Sequence, residues 1–137
     1  HFHPMVLFEG WQKAYTDIAQ ELTSQFEAQE IALVSMGTLT FIKPVLKKIR
    51  LRAQKSKILQ MPLIDAHGKY SYPLNLKEEM FSTVYHAFAS WHHKVFFYLC
   101  MEDISLWERI FGYEYDSNEA FEQAMIEAYQ EKIKGIV

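Results

Sequence analysis

Val95-Phe96-Phe97-Tyr98-Leu99-Cys100-Met101 is an unbroken apolar run with no charge in it. A strand with one wet face alternates polar and apolar residues, so such a run points to a strand covered on both faces, as in parallel sheets flanked by helices. Ile31-Ala32-Leu33-Val34 is a shorter run of the same kind. Amphipathic segments surround both. Trp11, Tyr15, Ile18, Ala19, Leu22 and Phe26 recur at helical spacing, and so do Leu76, Met80, Val84, Phe88 and Trp91. His1-Phe2-His3-Pro4-Met5-Val6-Leu7-Phe8 reads as an opening strand that runs through Phe8 and is turned by Glu9-Gly10 into the first helix. Strands alternating with amphipathic helices predict an α/β fold with a parallel sheet, and right-handed crossovers put both helices of the first half on one face.

Several further elements follow from local signals. Ser35-Met36-Gly37-Thr38 has the composition of a loop, and Pro44 suits the first turn of a brief helix reaching about Ile49. Asp65-Ala66-His67-Gly68, between Met61-Pro62-Leu63-Ile64 and Lys69-Tyr70-Ser71-Tyr72, predicts a hairpin with Gly near its turn. Pro62 and Pro73 confine that hairpin to an edge or an exposed arm. Residues 50–59 fit a loop, an extended arm or a frayed helix equally. After the strand at 95–101, Asp103 can cap a helix that Gly112 ends. Asp116 and Glu119 fit a capping box for a last helix whose core face is Phe121, Met125, Ala128 and Tyr129.

Composition removes several classes of protein. The 137 residues are 50% apolar with five Gly and four Pro, which excludes a disordered chain. One Cys excludes an internal disulfide and fits a reducing, cytoplasmic compartment. No apolar run approaches the roughly 20 residues that span a bilayer, so no membrane partner is expected. A chain that opens directly on a strand reads as a segment of a longer protein.

Charge is unevenly placed. Residues 31–64 hold no Asp or Glu but carry Lys43, Lys47, Lys48, Arg50, Arg52, Lys55 and Lys57, while the net charge of the whole is −3. A basic stripe on an acidic body suits a polyanion, and equally a solvated helix face followed by a basic loop. Chemistry-bearing motifs are sparse. His1 and His3 share a strand face and His92-His93 close a helix, but no Cys or carboxylate falls at zinc-ligand spacing beside them, so no metal site is expected. Cys100 in mid-strand reads as a small core residue. Glu78-Glu79 and Glu102-Asp103 read as first-turn carboxylates placed by helix macrodipoles. Phosphate loops, serine elbows and HExxH are missing.

Four phrases carry more. Pro4-Met5-Val6-Leu7-Phe8-Glu9-Gly10-Trp11 with Tyr15 is followed by Ser35-Met36-Gly37-Thr38-Leu39-Thr40-Phe41 with Lys43-Pro44. Next come Gly68-Lys69-Tyr70-Ser71-Tyr72, then Tyr98-Leu99-Cys100-Met101-Glu102 with Trp107 and Phe111-Gly112. In this order, across residues 2–112, they resemble the C-terminal part of the spore photoproduct lyase family, the radical S-adenosylmethionine enzymes of DNA repair. The last phrase is similar to its non-sporulating branch.

The resemblance implies the C-terminal portion of a partial (β/α) barrel with parallel strands, a β-hairpin arm and flanking helices, in one domain. Residues 1–49 would be late barrel strands and helices, 50–73 the basic arm and hairpin, and 74–137 a helix, a strand and two helices. It also implies an upstream half with a CxxxCxxC motif, whose thiolates hold a [4Fe–4S] cluster that cleaves S-adenosylmethionine to a radical acting on a thymine dimer. A chain with one Cys cannot hold that cluster, so by itself it would be catalytically silent, with no catalytic residue of its own. His3 matches a position near the S-adenosylmethionine pocket where a small residue is common, and Thr40 stands where a basic residue is expected. His67, Lys69, Tyr70 and Tyr72 match the hairpin that meets damaged DNA, with Lys43, Lys47 and Lys48 alongside as phosphate contacts. A two-stranded ribbon can enter a groove, and aromatic rings can wedge where a lesion weakens stacking. A barrel edge open at His1 would favour self-association. A different reading fits the same charges: a stand-alone module binding nucleic acid or an acidic protein partner.

Overall fold

The computed structural model describes residues 1–54 and 56–135, so Lys55 of the basic run lies outside the described residues. Three strands form a parallel sheet, β1 (Phe2–Met5), β2 (Leu33–Thr38) and β6 (Phe96–Leu99), in the order β1-β2-β6. Between them the chain forms α1 (Trp11–Gln25), β3 (Thr40–Ile42), α2 (Lys43–Leu51), β4 (Ile64–Ala66), β5 (Lys69–Ser71) and α3 (Leu74–Ala87). After β6 come α4 (Ser105–Phe111) and α5 (Asn118–Lys134). The α/β class and the parallel sheet read from the apolar runs are therefore present.

Register decides what each sheet face meets. Val34 lies beside Phe97 and Met36 beside both Phe2 and Leu99, and these residues face α1 and α3. Ala19, Phe81, Val84 and Phe88 close the core against them. Phe88 sits edge-on to Phe2 at 5.5 Å and stacks on Trp91 at 5.2 Å. The opposite face carries Leu33, Ser35 and Gly37 of β2 with Phe96 and Tyr98 of β6. Phe121 of α5 covers the β6 side of that face, 5.7 Å from Tyr98. His1 bonds the Ser35 hydroxyl and the His3 ring lies over Gly37, where a Cβ would come within 2.9 Å of it. A side chain at position 37 would have to displace that imidazole.

Several sequence expectations are corrected. Residues 35–38 are strand rather than loop, because β1 and β6 offer hydrogen-bonding ladders on both sides of β2. The first strand ends at Met5 rather than Phe8. Beyond it the N–H of Val6 donates to the Tyr15 hydroxyl (2.8 Å) and that of Leu7 to the Tyr72 hydroxyl (3.1 Å), so these amides are satisfied off the sheet. β6 stops at Leu99, since Met101 adopts a left-handed φ of 60° and turns the chain away. Cys100 thereby falls just past the strand and is half-buried instead of a core residue. The hairpin forms, with His67 and Gly68 both at positive φ as a two-residue turn requires. It is no free arm: β5 pairs with β3 as well, making a second, antiparallel sheet of order β3-β5-β4.

The last helix shows how weakly a polar sequence marks its own start. Ser117, not Asp116, caps α5, its hydroxyl accepting from the Ala120 N–H at 3.1 Å. No residue of α5 is fully buried, and Tyr129, read as a core residue, is 50% exposed. A helix with so little buried area depends on its ends. Ser117→Ala is expected to destabilise the protein by about 1 kcal/mol, measured by urea unfolding, and an unchanged midpoint would show that α5 is held by packing alone.

Candidate functional site at the carboxyl ends of the parallel strands

Ligands of open α/β sheets bind where the carboxyl ends of the strands meet the loops that leave them. Here β2 ends at Thr38 and β6 at Leu99, and the hairpin sheet begins at once with Thr40. A recess of about 280 Å³ lies at this end. Thr40, Ala66, Lys69 and Ser71, which share one face of the hairpin sheet, line one wall. Lys77 of α3 and Met101, Glu102 and Asp103 of the loop after β6 line the other, with His67 at the rim.

Glu102 organises the floor. Its side chain is 1% exposed, with one carboxylate oxygen accepting from the Thr38 N–H (2.9 Å) and the Thr38 hydroxyl (2.6 Å). The other oxygen pairs with the Lys77 ammonium at 2.6 Å, on a side chain that is 10% exposed. A buried carboxylate must have such partners, because leaving an ion unpaired in the interior costs several kcal/mol, of the order of 3–5. Asp103 does a different job. Its Oδ1 accepts from the Ser105 N–H at 2.9 Å, and hydrogen bonds from Ser105 hold its carboxyl below the ordinary value, with Lys77 and His67 adding to the effect. Neither residue is the first-turn dipole partner read from the sequence, since α4 starts only at Ser105. Glu78 and Glu79 also lie beyond the first turn of α3. Glu78 binds Arg109 at 2.8 Å, and Glu79 accepts from Gln12 at 3.4 Å.

The residues expected to meet DNA do not share one surface. His67 and Lys69 line the recess. Tyr70 is on the opposite face of β5, across from Phe41 and Asp65, as strand alternation dictates. Lys43 is engaged by Asp65 at 2.5 Å, which raises the lysine's pKa and lowers that of the carboxyl. Lys47 and Lys48 are exposed on α2, opposite the buried Leu46. Tyr72 corrects the expectation outright. It is 1% exposed in the core, and its hydroxyl is held by the Leu7 N–H, so its ring cannot stack on a base. Burial raises its pKa.

His3 is outside the recess, exposed on the edge strand with its ring over Gly37. Among the described residues, no group of three His, Cys, Asp or Glu could hold a metal ion. The cluster implied by the resemblance needs three thiolates and the chain has only Cys100, so these residues do not fit it. Thr38, Lys77 and Glu102 were missed as a site. Thr38 and Glu102 sit within phrases of the resemblance and Lys77 outside them, and none forms a local motif. Comparison of the chain with family models, curated proteins and solved structures finds no match.

Proposed function

We infer that this chain is the DNA-contacting C-terminal part of a spore photoproduct lyase-like radical S-adenosylmethionine enzyme that repairs thymine dimers. In this reading it supplies late strands of a partial (β/α) barrel, in a cytoplasmic protein. The upstream half brings the [4Fe–4S] cluster and S-adenosylmethionine and pairs with β1, which has a strand partner on one side only. This chain's own residues grip the nucleic acid and contribute no catalytic group. The observation that carries the reading is the placement of the hairpin sheet directly at the carboxyl ends of the parallel strands, with the basic α2 following its first strand. Barrel enzymes do their chemistry at that end, so DNA held there would present its lesion to the missing half's radical.

Fluorescence anisotropy with a duplex containing a thymine dimer, and with the intact duplex, tests this at several salt concentrations. Lys47→Ala combined with Lys48→Ala is expected to weaken binding equally on both duplexes and to flatten the log–log salt slope by about 2. Tyr70→Ala is expected to leave the slope alone and to reduce the preference for the damaged duplex by about 1–3 kcal/mol. A parent chain that ignores duplex DNA yet binds an acidic polypeptide through the same lysines would establish the rival interaction module instead.

A further inference from the structure

The recess at the strand ends presents hydrogen-bond donors in excess. An ammonium has three N–H donors. Lys77 spends one on Glu102 and lines the recess. Lys69 is half-buried against the same space and takes part in no ion pair among the described residues. The hydroxyls of Thr40 and Ser71 make only long bonds, 3.4 and 3.5 Å, to backbone carbonyls. Both oxygens of Glu102, at the floor, are already committed to Thr38 and Lys77, so its charge holds Lys77 in place. Asp103 spends one oxygen on the cap of α4. A cation would find a single open carboxylate here, whereas an acceptor-rich anion finds two ammoniums, the Thr40 hydroxyl and an imidazole, beside the Asp103 carboxylate that Lys77 and His67 face.

We propose that this recess is a phosphate-binding site, gripping one phosphate group between Lys69 and Lys77, with Thr40 as a neutral donor. The pair of cations suits a tetrahedral oxyanion, and charge-assisted hydrogen bonds to phosphate are the stronger kind. The proposal deepens the DNA reading. It makes the recess, rather than the exposed lysines of α2, the point where one backbone phosphate is fixed, so that the hairpin takes a set register on the strand. The same chemistry would take a free phosphate ion, and the two sources can be told apart.

The test is a titration of the ¹⁵N-labelled chain, followed by amide shifts, with inorganic phosphate in one arm and the dinucleotide TpT in the other. Binding is expected to move the amides of Thr38, Thr40, Met101 and Glu102 in at least one arm, and Lys69→Ala is expected to weaken that binding roughly tenfold. Saturation by TpT alone marks a nucleic-acid backbone site, and saturation by phosphate alone marks a free-ion site. Because Lys77→Gln strands Glu102, the second variant is Lys77→Gln with Glu102→Gln, which removes both charges together and is expected to lose the binding while remaining folded by circular dichroism. Shifts confined to α2, no shifts in either arm, or unchanged affinity in Lys69→Ala would each overturn the recess as a phosphate site. The DNA reading falls separately. Salt-dependent duplex binding through Lys47 and Lys48 without recess shifts keeps that reading and sinks this proposal. Recess binding of phosphate with no duplex binding does the reverse.

Discussion

Lys77→Met is expected to lower the unfolding free energy by about 3–5 kcal/mol, read from the urea midpoint at constant slope. The reason is Glu102, whose carboxylate stays buried when its cation is removed. The two Thr38 donors remain, but a desolvated charge without a counterion is among the most costly groups an interior can hold. Lys77→Met combined with Glu102→Leu should recover most of that loss, because replacing both ions by apolar groups of similar size is often neutral. If Lys77→Met alone costs less than about 1 kcal/mol, water reaches Glu102 and the floor of the recess is not sealed.

Tyr72→Ala and Tyr70→Ala are expected to behave oppositely in the same unfolding experiment. The Tyr72 ring is fully buried and its hydroxyl satisfies the Leu7 amide, so truncation opens a cavity and orphans an N–H, at about 3–5 kcal/mol. Tyr70, half-buried on the outer face of the hairpin, should cost about 1 kcal/mol or less on truncation. Equal losses would mean that the hairpin is packed on both faces, leaving no ring free to meet DNA. The contrast also bears on function. Tyr72 anchors the hairpin sheet to the loop after β1, so the recess wall carrying Lys69 and Ser71 depends on a residue that touches no ligand.

Much of the fold follows from consecutive residues. The apolar run at 95–101 marks a strand covered on both faces, and β6 is one, with Phe97 against Phe88 and Tyr98 against Phe121. The helical spacing from Trp11 locates α1, and His67-Gly68 locates the hairpin turn. Alternation also puts Lys69 and Tyr70 on opposite faces of the hairpin. The basic stripe of residues 43–57 is equally plain in the sequence. What the stripe does not reveal is that Asp65, just beyond it, engages Lys43.

The rest depends on pairings between distant residues. Ser35-Met36-Gly37-Thr38 resembles a loop until β1 and β6 lie on either side of it, and Thr40-Phe41-Ile42 becomes a strand only because β5 pairs with it. Tyr72 looks like its neighbour Tyr70 until the loop at Leu7 closes over it. The floor of the candidate site shows the same limit. Thr38, Lys77 and Glu102 come from the end of one strand, a helix and the loop after another strand, and each is an ordinary residue where it stands. Period and composition record what neighbours along the chain share, which is enough to place strands, helices and the basic stripe. A buried ion pair arises from the low dielectric and fixed geometry that packing creates, so only the tertiary structure could bring Glu102 and Lys77 together.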